Sequence, residues 1–151
     1  MLAEDVSTKE GAEAKYRLIE IYYIQNKYDD AEAEINDFRK ASTPYQEWLA
    51  HSFIIWADIF KSRGDYHMAK SVLQIIIDKY KGKDKGIVDK ATDKYVEIVD
   101  MEEAEEELNE AVEVDVIEKI DEVDKLIDNE EDINIEPLKE ENSEPKTETE
   151  N

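Results

Sequence analysis

Histidine and cysteine, the residues that most often bind transition metals or act as catalytic bases and nucleophiles, are scarce in this chain. There are two histidines, His51 and His67, and no cysteine. The two histidines fall on different predicted helices, and neither has a second His or Cys beside it at ligand spacing. We therefore predict no metal site and interpret both histidines as solvated or partly packed. Without cysteine, a disulfide framework and a thiolate site are excluded.

Carboxylates are abundant, but no pattern in the sequence pairs a nucleophile with an oriented base. The glycine-containing segment "KGKDKG" does not have the spacing of a phosphate-binding P-loop. "DNEEDIN" has the composition of a calcium loop but lacks its glycine and its spaced ligands. We therefore predict a protein that is not an enzyme and needs no cofactor.

Charge is distributed unevenly along the chain. Residues 1 to 100 contain 19 acidic residues and 15 Lys and Arg, a net charge of −4, whereas residues 101 to 151 contain 22 acidic residues and 4 Lys, a net charge of −18. A field this negative repels nucleic acid and anionic lipid, so we expect neither as a partner. Apolar runs are only a handful of residues long, which predicts no membrane insertion. The N-terminus does not resemble a signal peptide.

Apolar residues three and four apart predict five helices, over residues 11 to 24, around 31 to 38, 48 to 62, 66 to 80 and 87 to 99. Asn26 is placed to end the first helix in the left-handed conformation, and Gly64 supplies a tight break after the third. Pro44 predicts a loop after the second helix. Trp48, Phe53 and Trp56 fall at helical spacing and are expected in the core.

The first two helices recur in the next two. The matching residues are always 38 positions apart: Leu18, Tyr22, Tyr28 and Ala31 correspond to Trp56, Phe60, Tyr66 and Ala69. Ala14, Ser52 and Ala91 are small residues one turn before Leu18, Trp56 and Tyr95. A helix-turn-helix with such a period indicates a solenoid.

These residues resemble the tetratricopeptide repeat. "AEAKYRLIEIYYIQNKYDDAEAEINDF" is similar to one whole unit and "LAHSFIIWADIFKSRGDYHMAKSVLQIII" to a second, with residues 88 to 99 similar to the first helix of a third. The usual unit has ~34 residues, so the spacing of 38 implies an enlarged loop around "STPYQEW". The closing proline of the family is missing. The resemblance extends to long repeat proteins of Bacteroidetes-type bacteria, some similar to periplasmic lipoproteins that help assemble outer-membrane proteins.

The resemblance implies a concave groove that holds a partner segment, and two sets of residues with different roles. Expected to line the groove are Glu13, Tyr16, Glu20, Tyr23, Ile24, His51, Ile54, Asp58 and Lys61. Expected to pack the repeats are Ala14, Leu18, Tyr22, Tyr28, Ala31, Ser52, Trp56, Phe60, Gly64, Tyr66, Ala69, Ala91 and Tyr95. Exposed tyrosines beside acids suit a cationic ligand. The alternative is that Tyr16 and Tyr23 pack against a neighbouring repeat.

The acidic extension continues the helical pattern. Apolar residues three or four apart predict a long amphipathic helix over residues 101 to 128: Met101, Ala104, Leu108, Val112, Val116, Ile120, Val123 and Ile127. Either this helix caps the last repeat by covering residues 87 to 99, or it pairs with another chain or remains marginal in isolation because like charges repel along it. Residues 129 to 151 lack the apolar content to fold and are predicted to be disordered.

We therefore predict an all-α, tetratricopeptide-type solenoid, with a repeat domain over residues 1 to 100, an acidic helix over 101 to 128 and an acidic tail over 129 to 151. The predicted function is a scaffold that binds a protein or peptide. The alternative is a structural subunit of a self-assembling or cell-envelope complex that makes contact through the acidic helix. Two repeats rarely share a sufficient core, so we expect the chain to be the C-terminal piece of a longer array or to stack on another molecule. The compartment stays open: periplasmic or outer-membrane-associated if the chain is part of a longer envelope protein, and otherwise cytoplasmic.

Overall fold

The computed structural model describes residues 5 to 128, and in this part of the chain all regular structure is helical. Of these residues, 5 to 109 belong to one unit and 110 to 128 to a second. The described residues form five helices: α1 (Lys9–Ile24), α2 (Tyr28–Lys40), α3 (Gln46–Ser62), α4 (Tyr66–Lys79) and α5 (Gly86–Asp128). The all-helical class is thus confirmed for these residues. The predicted tail, residues 129 to 151, lies outside them.

Two helices end in the same left-handed turn, 38 residues apart. Asn26 has φ 57° and Gly64 has φ 74°. After α1 the amide of Lys27 donates to the carbonyl of Tyr22, 2.9 Å away, and after α3 the amide of Asp65 donates to that of Phe60, also 2.9 Å away. These bonds close the helix end in the Schellman pattern. The prediction that Asn26 and Gly64 end their helices is confirmed.

Burial repeats with the same spacing. Helix α1 packs on α2, and α3 packs on α4, α1 and α2. Side chains at most 6% exposed in both hairpins form five pairs 38 residues apart: Ala12 and Ala50, Ile19 and Ala57, Ala31 and Ala69, Ile35 and Leu73, Phe38 and Ile76. Small residues such as Ala31 and Ala69 let two helices approach closely, and larger ones fill the space beside them. The two hairpins therefore bury equivalent faces.

Corresponding polar contacts join each hairpin to the helix that follows it. Glu32 of α2 accepts hydrogen bonds from Trp56 Nε1 at 2.9 Å and from Arg63 at 2.6 Å. In α4, the residue 38 positions after Glu32 is Lys70, which forms an ion pair with Glu102 of α5. At the first junction the acid lies on the hairpin, and at the second the acid lies on the following helix. The contact is nevertheless made from the same position of both hairpins.

A loop threonine ties the start of the chain to the turn between α2 and α3. Thr43 is 2% exposed, donates its hydroxyl to the carbonyl of Val6 at 2.7 Å and accepts from the amide of Tyr45 at 3.1 Å. Val6 is buried as well. Buried polar groups need such partners, because leaving them unpaired costs free energy. The loop around Pro44 is therefore anchored at a fixed point.

Helix α5 continues past the predicted boundary at residue 100 without a break. Ile87, Ala91 and Ile98 are buried, and just past the boundary Glu105 accepts a hydrogen bond from the Tyr66 hydroxyl at 2.6 Å. The division of residues 87 to 99 and 101 to 128 into two helices is thus corrected to one helix. The capping interpretation needs a turn before residue 101, and none interrupts α5.

Most of the residues predicted to pack the repeats are buried or half-buried. Ala31, Ser52, Tyr66, Ala69 and Ala91 are buried. Half-buried are Ala14, Leu18, Tyr22, Tyr28, Trp56, Phe60 and Tyr95. Gly64 is exposed, and an added Cβ there would meet no atom within 4 Å. Its contribution is therefore the left-handed turn and not packing.

Candidate partner-binding surface

One side of α1 carries a chain of paired charges. Arg17 lies four residues after Glu13 and three residues before Glu20. Its guanidinium is 3.7 Å from the Glu13 carboxylate and 3.0 Å from the Glu20 carboxylate. Side chains three and four apart on a helix share a face, so these pairs follow from sequence spacing alone. The Tyr16 hydroxyl also donates to Glu20, at 3.0 Å. The acids expected to attract a cationic ligand already have cationic or phenolic partners.

Tyr16 is the centre of an aromatic cluster between α1 and α3. Its ring stacks on Trp48, with centroids 5.5 Å apart, and lies 5.5 Å from the ring of His51. Burial, followed by the hydrogen bond to Glu20, raises the pKa of Tyr16 to about 12. Burial, with Lys90 as the second cause, lowers the pKa of His51 below its usual value. Both rings are therefore uncharged near neutral pH and act as packing groups.

A second set of side chains connects α3 to α5. Asp58 pairs with Lys94 at 2.6 Å, and Lys61 with Glu97 at 3.0 Å. The hydrogen bond from Lys61 lowers the pKa of Glu97, and that bond is also the main cause of the raised pKa of Lys61. Burial, then the charge of Asp58, raises the pKa of Tyr23 on α1. The faces of α1, α3 and α5 thus form one continuous polar and aromatic surface.

We call this surface the candidate groove, and most of the residues predicted for it lie on it. Half-buried are Glu13, Tyr16, Glu20, Tyr23, His51, Asp58 and Lys61, and Ile24 is 71% exposed. Ile54 is 3% exposed and belongs to the hydrophobic core, so its assignment to the groove is corrected. Tyr16 contacts Trp48 and His51 of the next hairpin, as the packing interpretation expects, whereas Tyr23 contacts Tyr28 of its own hairpin.

Three residues on this surface were missed from the sequence: Arg17, Lys94 and Glu97. Arg17 could have been found, because it lies between two acids at helical spacing. Lys94 and Glu97 could not be found by repeat matching, because matching identifies equivalent positions and not the residues of two helices that contact each other. The crossing of α3 and α5, and not the period, brings these charges together.

The other side chains that could take part in chemistry lie outside the candidate groove. Within residues 5 to 128 no group of three or more His, Asp or Glu is arranged to hold a metal ion. His67 is exposed on α4. A cleft of about 630 Å³ is lined by Lys9, Lys79 and Lys81 together with Glu47 and Tyr80. None of the helices in the described part of the chain combines the length and apolar character needed to cross a membrane.

Comparison with known protein families, with curated proteins and with solved structures finds no match for the chain. The interpretation of the groove therefore depends on its own geometry. It is an open face of three helices with one strongly exposed apolar side chain, Ile24, beside half-buried aromatic rings and paired charges. Such a surface can contact an extended segment or a helix along its length.

Proposed function

We propose that the chain is a non-catalytic scaffold, a tetratricopeptide-like solenoid that binds a protein segment on the candidate groove. The observation that carries this proposal is the 38-residue repetition of burial in the two hairpins, which extends to their left-handed turns at Asn26 and Gly64. Stacked hairpins expose the first helix of every unit on one side, and repeat proteins use that side for extended contacts.

A difference between the two hairpins supports a longer array. Ile59 on α3 is fully buried, whereas Ile21, the residue at the same position of α1, is 48% exposed. Ser52 on α3 is also fully buried, whereas Ala14 on α1 is half-buried. Residues on one side of α3 are thus buried, whereas the residues at the same positions of α1 are partly exposed. A further hairpin stacked on α1 would cover them in the same way.

The acids of the groove are paired with cations, which changes the expected chemistry of the partner. Glu13 and Glu20 are paired with Arg17, and Asp58 with Lys94. A purely cationic ligand would have to displace these resident cations. We infer a partner segment that presents an apolar side chain to Ile24 and polar groups to the paired charges, because exchange of hydrogen bonds costs less than unpaired burial.

Cross-linked capture from cells of the source organism tests the proposal. Tyr16→Ala would be a poor probe, because it removes packing between α1 and α3. Ile24→Asp changes an exposed position, and Ile75→Asp on α4, 41% exposed, is the matched control outside the groove. We expect one partner captured by the parent and by Ile75→Asp and lost by Ile24→Asp. Equal capture by all three forms, or capture of this chain alone, would reject the groove.

Self-assembly through the acidic helix is the competing interpretation. Residues 101 to 151 carry a net charge of −18. Two copies that meet along this segment would bring like charges together, which is unfavourable. We therefore do not adopt self-assembly as the function.

A further inference from the structure

The last turns of α5 expose a row of apolar side chains. Val112, Val116, Ile120 and Val123 follow one another at spacings of four, four and three residues, and each is between 47% and 53% exposed. That spacing places them on one side of a helix, and we call the row the apolar stripe. Helices in proteins gain most of their stability from packing such a face. The stripe is therefore a surface that gains free energy when it is covered.

The stripe has the form of a helix-docking site. Residues 110 to 126 span about 25 Å as an α-helix. A hollow of about 260 Å³ is lined by the apolar side chains of Val116, Ile120 and Val123 together with Lys119 and Asp124. Helices that pair side by side insert one side chain into such a hollow between four residues of the partner helix. Val114 is also exposed, at 56%, but it points to the opposite side of the helix and cannot join the stripe.

Charge decides what the stripe can accept. Residues 110 to 126 contain seven acidic residues and two lysines. One of the lysines, Lys119, is already paired with Asp115 at 2.7 Å. A second copy would bring the same excess of acids to the contact, and the tail from residue 129 onward is acidic by composition. An anionic membrane surface is repelled for the same reason. A basic helix is attracted.

We propose that the apolar stripe binds an amphipathic helix of another protein, one whose apolar row is flanked by Lys and Arg. Apolar contact along the stripe supplies the gain from burial, and the surrounding carboxylates orient the partner and accelerate its association. This site is separate from the candidate groove. The chain would then hold two partners, or two parts of one partner, at different places.

Synthetic peptides test the proposal on the full chain. The probe is a 21-residue helix of Leu and Lys with Leu at the spacing of one face. Two matched peptides are a scramble of the same composition and a version with Glu in place of Lys. By fluorescence anisotropy we expect the probe to bind at least about tenfold more tightly than the scramble, and its binding to weaken as salt rises. The Glu peptide should not bind.

Variants locate the binding on the helix. The double variant Val116→Gln/Ile120→Gln interrupts the stripe, and Val114→Gln changes the opposite side of the helix. Glutamine has a high helix propensity, so both variants should stay helical. Circular dichroism checks this. We expect binding of the probe to be lost in the first variant and kept in the second and in Ile24→Asp. Equal binding of the scramble, equal binding by the stripe variant, or no binding at all would overturn the proposal. So would a dimer of the free chain that dissociates in the stripe variant, because the occupant would then be a second copy.

Discussion

The turn at Gly64 gives the sharpest prediction for stability. Gly64 has φ 74°, and an added Cβ would meet no atom within 4 Å. Any effect of Gly64→Ala must therefore come from the backbone conformation and not from a collision. The left-handed conformation costs an L-residue about 1 to 2 kcal/mol. Alanine also restricts the unfolded chain, which offsets roughly 0.4 to 1 kcal/mol of that cost. We expect Gly64→Ala to lower the free energy of unfolding by about 1 kcal/mol.

Urea unfolding monitored by tryptophan fluorescence measures this change in the correct part of the chain, because both tryptophans, Trp48 and Trp56, lie in α3. Gly64→Asn is the matched control, since asparagine tolerates the left-handed region and already occupies the corresponding turn at Asn26. The predicted order of stability is parent, then Gly64→Asn, then Gly64→Ala. If Gly64→Ala is as stable as the parent, or Gly64→Asn is the least stable, the left-handed turn is refuted.

Three further changes test other contacts. Thr43→Val should cost about 1 to 3 kcal/mol in urea unfolding, because it leaves the buried carbonyl of Val6 without a donor, whereas Thr43→Ser should cost less. The pKa of Tyr16 is raised to about 12, above the usual value near 10. The stabilising contribution of Tyr16 is therefore complete below pH 10 and is lost as the pH rises towards 12. We expect Tyr16→Phe to lose less stability than the parent over that range. A double-mutant cycle of Asp58→Asn and Lys94→Gln should give a coupling of about 1 kcal/mol, and a value near zero would mean that the ion pair is not formed.

The helices and their repetition could be predicted because they depend on local spacing. The turns at Asn26 and Gly64 are set by residues that tolerate positive φ, and the buried faces of both hairpins follow from apolar residues at helical period. The predicted end of the fifth helix at residue 99 is wrong, because α5 continues to Asp128. Nothing in the sequence marks a stop near residue 100, and the predicted boundary came from the change in charge, which does not by itself interrupt a helix.

The candidate groove could be predicted only in part. A repeat pattern indicates on which side of a helix a residue lies, but not which side chains of other helices lie beside it. Ile54 satisfied the pattern yet lies in the core. Lys94 and Glu97 reach the surface through the crossing of α3 and α5, which depends on tertiary packing. The anchoring role of Thr43 depends on a contact 37 residues away in sequence, at Val6. Such contacts between distant segments leave no periodic signal.

Site-specific photocross-linking in cells tests the central claim, a partner bound on the candidate groove, most directly. A photoreactive phenylalanine analogue would replace Ile24, 71% exposed on α1, or Ile75, 41% exposed on α4. Mass spectrometry would then identify the proteins attached at each position. We expect one protein to be attached at position 24 and not at position 75. Attachment of the same proteins at both positions, or at position 75 alone, would contradict it.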